Sequence, residues 1–121
     1  NRYACLSKLR NSEVNHLYNR AFCLLYPSSY EGFGIPVLEA MKTGCPVVTT
    51  NASSIPEIAE DAAILVNKID SKTLADAILQ YEDIDFRTRI VAKGISQASK
   101  FSWDKCYTKV LAFYKQCNDV I

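Results

Sequence analysis

The sequence has little of what several protein classes require. It has a single His, and none of its five Cys forms a pair at two-residue spacing, so neither a zinc site nor any other metal site is expected. Its longest wholly apolar run covers residues 21–26, far below the roughly 20 residues that a membrane-spanning helix needs. The start shows no signal-peptide pattern. No segment is dominated by Lys and Arg, and the net charge is +1, so nucleic acid is not an expected partner.

The composition that remains is that of an ordinary globular domain. Hydrophobic residues make up 49% of the 121 residues and aromatic residues 11%, enough to build a core, so we expect one domain over residues 1–121. Cys23 lies inside an apolar run and Cys45 precedes another, as expected of small core residues. An odd number of cysteines used in this way predicts a reducing compartment, the cytoplasm.

The order of segments predicts a parallel α/β fold, because short apolar runs alternate with stretches of helical period. The predicted strands are residues 3–6, 21–26, 46–50 and 62–66. Two predicted helices are capped by Ser12 and Ser71, three more cover residues 35–43, 54–60 and 86–99, and the last one starts at Ser102. We expect the last helix to pack back on the domain through its apolar stripe of Trp103, Tyr107, Val110, Tyr114 and Cys117.

The loop of residues 28–34 is the most informative segment. It joins the carboxyl end of a predicted strand to a helix that begins near Pro36, the position where open parallel sheets bind ligands. Gly32 and Gly34 lack a Cβ atom, so the backbone there can adopt left-handed angles and approach a ligand closely. Backbone N–H groups at the helix start have no intrahelical acceptor and lie at the positive end of the helix dipole. An anion such as a diphosphate is the expected ligand.

Two carboxylates lie on either side of this helix start. Glu31 precedes the helix, and Glu39 falls one turn inside it, on the side opposite the apolar residues Val37, Leu38, Ala40 and Met41. Carboxylates accept hydrogen bonds and donate none, so they suit sugar hydroxyls and not phosphate. Amides for phosphate and carboxylates for hydroxyls together indicate a nucleotide sugar.

The segment from Glu31 to Glu39 resembles the E-x7-E motif of retaining glycosyltransferases with two Rossmann-like domains (GT-B), family 4 or glycosyl transferases group 1. The flanking segments are similar to that family as well: LYNRA, YPSSYEGFGIPVLEAMKTGCPVVTTN, IPEIAEDAAILV, and Phe101-Ser102-Trp103. The resemblance covers nearly the whole chain. It implies the C-terminal, donor-binding domain of an enzyme of polysaccharide biosynthesis that transfers a hexose from a nucleotide diphosphate sugar to a glycan or lipid acceptor.

The resemblance also implies roles for individual residues. Glu31 would be the catalytic residue that orients the donor sugar through its hydroxyls, and Glu39 would contact the ribose hydroxyls. The backbone N–H groups facing the donor sugar and diphosphate would be those of Gly32, Phe33, Gly34 and Ile35. No metal and no other cofactor is implied.

The chain lacks parts that the family possesses. The family's basic residues that neutralise the diphosphate, and its N-terminal acceptor domain, would precede this chain. The resemblance therefore implies an incomplete three-layer Rossmann-like sheet of about four strands, without the first two strands of the family domain. We expect residues 3–6 either to pair wrongly or to leave an exposed strand edge through which two copies associate. Any contact with a membrane would be peripheral, through the absent domain.

Two other functions remain open at this point. The chain is alternatively a non-catalytic module that binds a nucleotide or another phosphorylated ligand, or a structural domain that only resembles the family. Loss of transferase activity on Glu31→Gln would distinguish the enzyme from the first, and nucleotide sugar binding near Phe33 would distinguish it from the second.

Overall fold

A computed structural model describes residues 2–118 as a three-layer α/β fold. Three parallel strands alternate with helices, and a long helix ends the described chain. The strands are β1 (Leu24–Tyr26), β2 (Val47–Thr50) and β3 (Ile64–Val66). The helices are α1 (Asn11–Arg20), α2 (Ile35–Thr43), α3 (Ile55–Ala59), α4 (Ser71–Leu79), α5 (Ile84–Ala98) and α6 (Trp103–Asn118), with a 3₁₀ turn at Gln80–Glu82 between α4 and α5. The predicted parallel α/β class is confirmed.

The sheet has the order β1-β2-β3, with Leu24 opposite Val47 and Val48 opposite Ile64. It contains three strands, not the four predicted: within residues 2–118, residues 3–6 form no strand, and Tyr3 is 82% exposed. The prediction that this segment pairs wrongly is therefore wrong. A strand needs a neighbour to accept its backbone hydrogen bonds, and the apolar pattern of four residues does not provide one.

The position of β1 at the edge of the sheet explains why this strand is shorter and more exposed than predicted. Residues 21–26 are predicted as one strand, yet only Leu24–Tyr26 is extended, and Leu25 is 40% exposed. Among the described residues β1 pairs with β2 alone, which leaves its other edge uncovered. Self-association of the chain through such an edge remains a prediction.

Two apolar clusters lie on opposite faces of the sheet, as the alternation of side chains along β2 requires. Val47 belongs to the cluster formed with α2 and α3, and Val48 to the cluster formed with α4 and the 3₁₀ turn. Tyr81 is 1% exposed in the second cluster, and its hydroxyl donates to the Val47 carbonyl at 2.7 Å. The fold therefore has three layers, with helices on both faces of the sheet. Helix α5 also contacts α2.

Helix α2 has the predicted bounds. Gly44 follows it with a left-handed φ of 77°, the usual way in which a glycine ends a helix. Other caps differ from prediction. Ser12 lies inside α1, whose start is capped by Glu13 accepting from the Arg10 N–H at 2.8 Å, and α4 is capped by Asp70 instead of Ser71. Ser102, predicted to start the last helix, directly precedes α6, and its Oγ accepts a hydrogen bond from the Lys105 N–H at 3.1 Å.

The packing predicted for the last helix is wrong. Every described residue of α6 is exposed, and Trp103 is 80% and Tyr114 65% exposed. An amphipathic stripe predicts that a helix face is apolar, but it does not identify what covers that face. Within residues 2–118, no helix is long and apolar enough to cross a membrane.

Candidate functional site

The loop of residues 28–34 lies where the sequence predicted it, between β1 and α2. Because all three strands are parallel, their carboxyl ends share one edge of the sheet, and the loop begins at that edge. Thr49 and Thr50, at the end of the neighbouring strand β2, are both buried. The loop therefore lies against the buried carboxyl end of β2.

Glu31 turns its carboxylate back towards β1. Its Oε1 atom accepts hydrogen bonds from the Tyr26 hydroxyl and from Ser28 Oγ, each at 2.6 Å. The bond from Ser28, and to a smaller extent the bond from Tyr26, lowers the pKa of the Glu31 carboxyl below its ordinary value. Both donors stabilise the ionised form, so the side chain is a fixed, charged acceptor. No bond to another described residue involves its second oxygen, Oε2.

The tip of the loop, residues 32–35, has backbone N–H groups that donate to no other described residue. Gly34 adopts a left-handed φ of 92° and is buried, with an added Cβ lying 3.7 Å from Ile55 Cγ1. Gly32, Phe33 and Ile35 are exposed. The next N–H groups, those of Val37 and Leu38, donate to the Gly34 carbonyl. Within the described chain, no protein acceptor lies within hydrogen-bond reach of the N–H groups of Gly32, Phe33, Gly34 and Ile35.

Gly32 and Gly34 were both expected to allow left-handed backbone angles, but only one of them adopts such an angle. Gly34 needs its left-handed angle, whereas Gly32 has no such angle and a Cβ atom there would meet nothing within 4 Å. Neither backbone strain nor the protein's own packing demands a glycine at position 32. What glycine preserves there is open space above the backbone, where a ligand can approach.

Glu39 lies on the exposed side of α2, as the helical wheel predicted, while Val37, Ala40 and Met41 are buried. The Tyr18 hydroxyl of α1 donates to Glu39 Oε2 at 3.3 Å. Burial, and then the Glu39 charge, raises the pKa of Tyr18 to about 12. No sequence motif predicts this contact, because Tyr18 and Glu39 are 21 positions apart.

Two shallow grooves lie near these carboxylates. The first, of about 290 Å³, runs between α1 and α2 and is lined by Glu39 together with Asn15 and Lys42. The second, of about 200 Å³, lies at the carboxyl ends of the strands, where Asn51 Nδ2 donates to Asn67 Oδ1 at 2.9 Å. No motif in the sequence predicts the second groove. Neither groove is lined by residues 32–35.

Other residues with polar or reactive side chains take ordinary positions. His16 and Glu57 are exposed, and Cys45 is a buried core residue as predicted. The five cysteines, all inside residues 2–118, are unpaired thiols. The described residues include no group of three or more His, Cys, Asp or Glu placed to hold a metal ion.

A parallel sheet with helices on both faces, and a glycine-containing loop leading from a strand into a helix, places the chain in the class of Rossmann-like α/β domains. The sequence then identifies one family within that class. Residues 4–97 match the family described as glycosyl transferases group 1, and the chain belongs to that family.

Several curated proteins are similar to this chain. Over 111 residues it is 40% identical to O-antigen chain mannosyltransferase B of Escherichia coli, covering 91% of this chain and 29% of that protein. Over 79 residues it is 37% identical to O-antigen chain mannosyltransferase RfbU of Salmonella typhimurium, covering 65% and 22%. Over 93 residues it is 33% identical to a D-inositol 3-phosphate glycosyltransferase of Nocardioides, covering 74% and 20%. The chain thus spans less than a third of the length of each of these relatives.

Proposed function

We propose that this chain is the C-terminal part of the donor-binding domain of a retaining glycosyltransferase that uses a nucleotide diphosphate sugar. One observation carries the proposal: four backbone N–H groups without a protein acceptor lie at the start of α2, between Glu31 and Glu39, in a member of the group 1 family. The N–H groups suit the diphosphate, and the carboxylates suit hydroxyls of the sugar and the ribose.

The proposed chemistry is mainly electrostatic. Negative charge grows on the diphosphate as its bond to the sugar breaks, and the N–H groups of residues 32–35 together with the positive end of α2 stabilise that charge. Because these groups are fixed before the donor binds, little reorganisation is needed during the reaction. Glu31, which accepts hydrogen bonds from Tyr26 and Ser28 on one oxygen, offers the other to a donor hydroxyl.

The rest of the enzyme supplies what this segment does not contain. We propose that the remainder of the full-length protein contributes the basic residues that neutralise the diphosphate, and an acceptor domain that binds a glycan or lipid. The names of two similar proteins, both O-antigen chain mannosyltransferases, support mannose as the transferred sugar. We place the reaction in the cytoplasm, because the cysteines are unpaired thiols.

The proposal is tested by assaying the full-length protein with mannose donors carrying GDP or UDP and with the corresponding glucose donors. We expect transfer from one of these donors to an oligosaccharide or polyprenyl-linked acceptor, with the anomeric configuration of the donor kept in the product, as proton NMR of the product determines. Binding of a donor without transfer to any acceptor would favour the non-catalytic module. An inverted anomer would refute the retaining mechanism.

A further inference from the structure

Hydroxyl groups from the β2–α3 segment, residues 49–54, donate to carbonyls at the end of β1 and in the loop of residues 28–34, which we call the site loop. We call these four side chains the hydroxyl row: Thr49, Thr50, Ser53 and Ser54. They approach the carbonyls of Tyr26, Ser28, Glu31 and Phe33 in that order. The Ser53 bond is 2.5 Å and the Ser54 bond 3.1 Å. The two segments thus run side by side, with hydroxyls of one meeting carbonyls of the other in the same chain order.

The row determines which way the loop's N–H groups point. In a trans peptide the C=O and the following N–H point in opposite directions, and no peptide bond in the described chain is cis. The Glu31 carbonyl faces Ser53, so the N–H of Gly32 points away from the β2–α3 segment. The Phe33 carbonyl faces Ser54, so the N–H of Gly34 also points away.

The local structure of the two serines is not explained by their own segment. Ser53 has a left-handed φ of 56°, which disfavours any residue with a Cβ atom. Ser54 precedes α3 at the capping position, yet its side chain caps no N–H of that helix. Its hydroxyl, with a single proton, lies 3.1 Å from the Phe33 carbonyl and 3.2 Å from that of Glu31. Both serines therefore serve the site loop instead of α3.

We infer that Ser53 and Ser54 are positioning residues that hold the N–H groups of Gly32 and Gly34 towards the diphosphate of the donor. This inference rests on the proposed function. The serines themselves need not touch the donor. Their effect is preorganisation: with the carbonyls held on one side, the N–H groups need not turn when the diphosphate arrives.

The test uses the full-length protein and its affinity for GDP, UDP and ADP by calorimetry, each paired with its monophosphate. Ser53→Gly removes one hydroxyl while favouring the left-handed angle, and Ser54→Ala removes the other. We expect the double variant to bind the preferred diphosphate at least about tenfold more weakly, with less than about a threefold change for the monophosphate. Ser54→Thr, which keeps the hydroxyl, should restore most of the affinity lost in Ser54→Ala.

Lys8→Gly is the matched control, because Lys8 has nearly the same angle, φ 55°, outside the site. It should leave both affinities unchanged. Should the double variant not fold, the single variants carry the test, and Ser53→Gly should keep the melting temperature of the wild type. Unchanged diphosphate affinity, or equal losses for diphosphate and monophosphate, would overturn the inference while leaving the proposed function intact. A wild-type protein that binds none of the nucleotides would overturn both.

Discussion

Replacing Glu31 with glutamine in the full-length protein should reduce sugar transfer strongly without disturbing the loop. The Gln side-chain oxygen can still accept from Tyr26 and Ser28, which lie 2.6 Å from Oε1. The NH₂ group then replaces Oε2, so the charged acceptor that we propose for a donor sugar hydroxyl becomes a neutral hydrogen-bond donor. A hydrogen bond to a charged group is typically strong enough that its loss lowers kcat/KM by about 10- to 100-fold.

The assay is steady-state transfer with radiolabelled donor, compared with thermal unfolding of the same variant. Glu82→Gln is the control, since Glu82 is an exposed carboxylate of the 3₁₀ turn, on the opposite side of the sheet from α2. We expect Glu82→Gln to retain wild-type kcat/KM, and both variants to unfold at the wild-type temperature. Glu31→Gln with kcat/KM within twofold of the wild type, roughly the range of a neutral surface substitution, would refute the role given to Glu31.

Three further predictions concern stability and pH. Gly94→Ala should raise the free energy of unfolding by about 0.5 to 1 kcal/mol in urea titrations, because alanine favours the helix more than glycine does. The added Cβ atom would lie in ordinary contact with Met41, 3.5 Å from its Cγ. A decrease would show that Met41 cannot accommodate the methyl group. Tyr81→Phe should lower the free energy of unfolding by about 1 to 3 kcal/mol, because it leaves the buried Val47 carbonyl without this donor, and an unchanged value would contradict that reasoning. The lowered pKa of Glu31 means that its stabilising bonds are fully present above the ordinary value of 4.5 and are lost as pH falls through the lower folded-state value. Donor affinity should therefore hold level down to pH 4.5, and an earlier decline that Glu31→Gln abolishes would contradict this.

Sequence patterns predicted the elements that local chemistry determines. Helix α2 has its predicted bounds because Gly44 ends it with a left-handed angle and Pro36 fits its first turn. The apolar runs of residues 46–50 and 62–66 correctly predicted the strands β2 and β3. Each of these strands has a neighbour in the sheet and is covered by helices. The exposed position of Glu39 followed from helical geometry alone.

The features that sequence could not predict depend on distant parts of the chain. Residues 3–6 have strand-like composition but form no strand, because no neighbouring strand pairs with them. The bonds of Ser53 to Glu31 and of Tyr18 to Glu39 join residues 22 and 21 positions apart, and no local pattern specifies them. Sequence therefore located the site loop, but only the packed structure identified the side chains that hold it.

The most direct measurement is a crystal structure of the full-length protein with an intact nucleotide diphosphate sugar. The account predicts diphosphate oxygens within about 3.2 Å of backbone nitrogens in residues 32–35, a sugar hydroxyl on Glu31, and the ribose on Glu39. A donor bound instead in the groove between Asn51 and Asn67, with the start of α2 left in solvent, would contradict it.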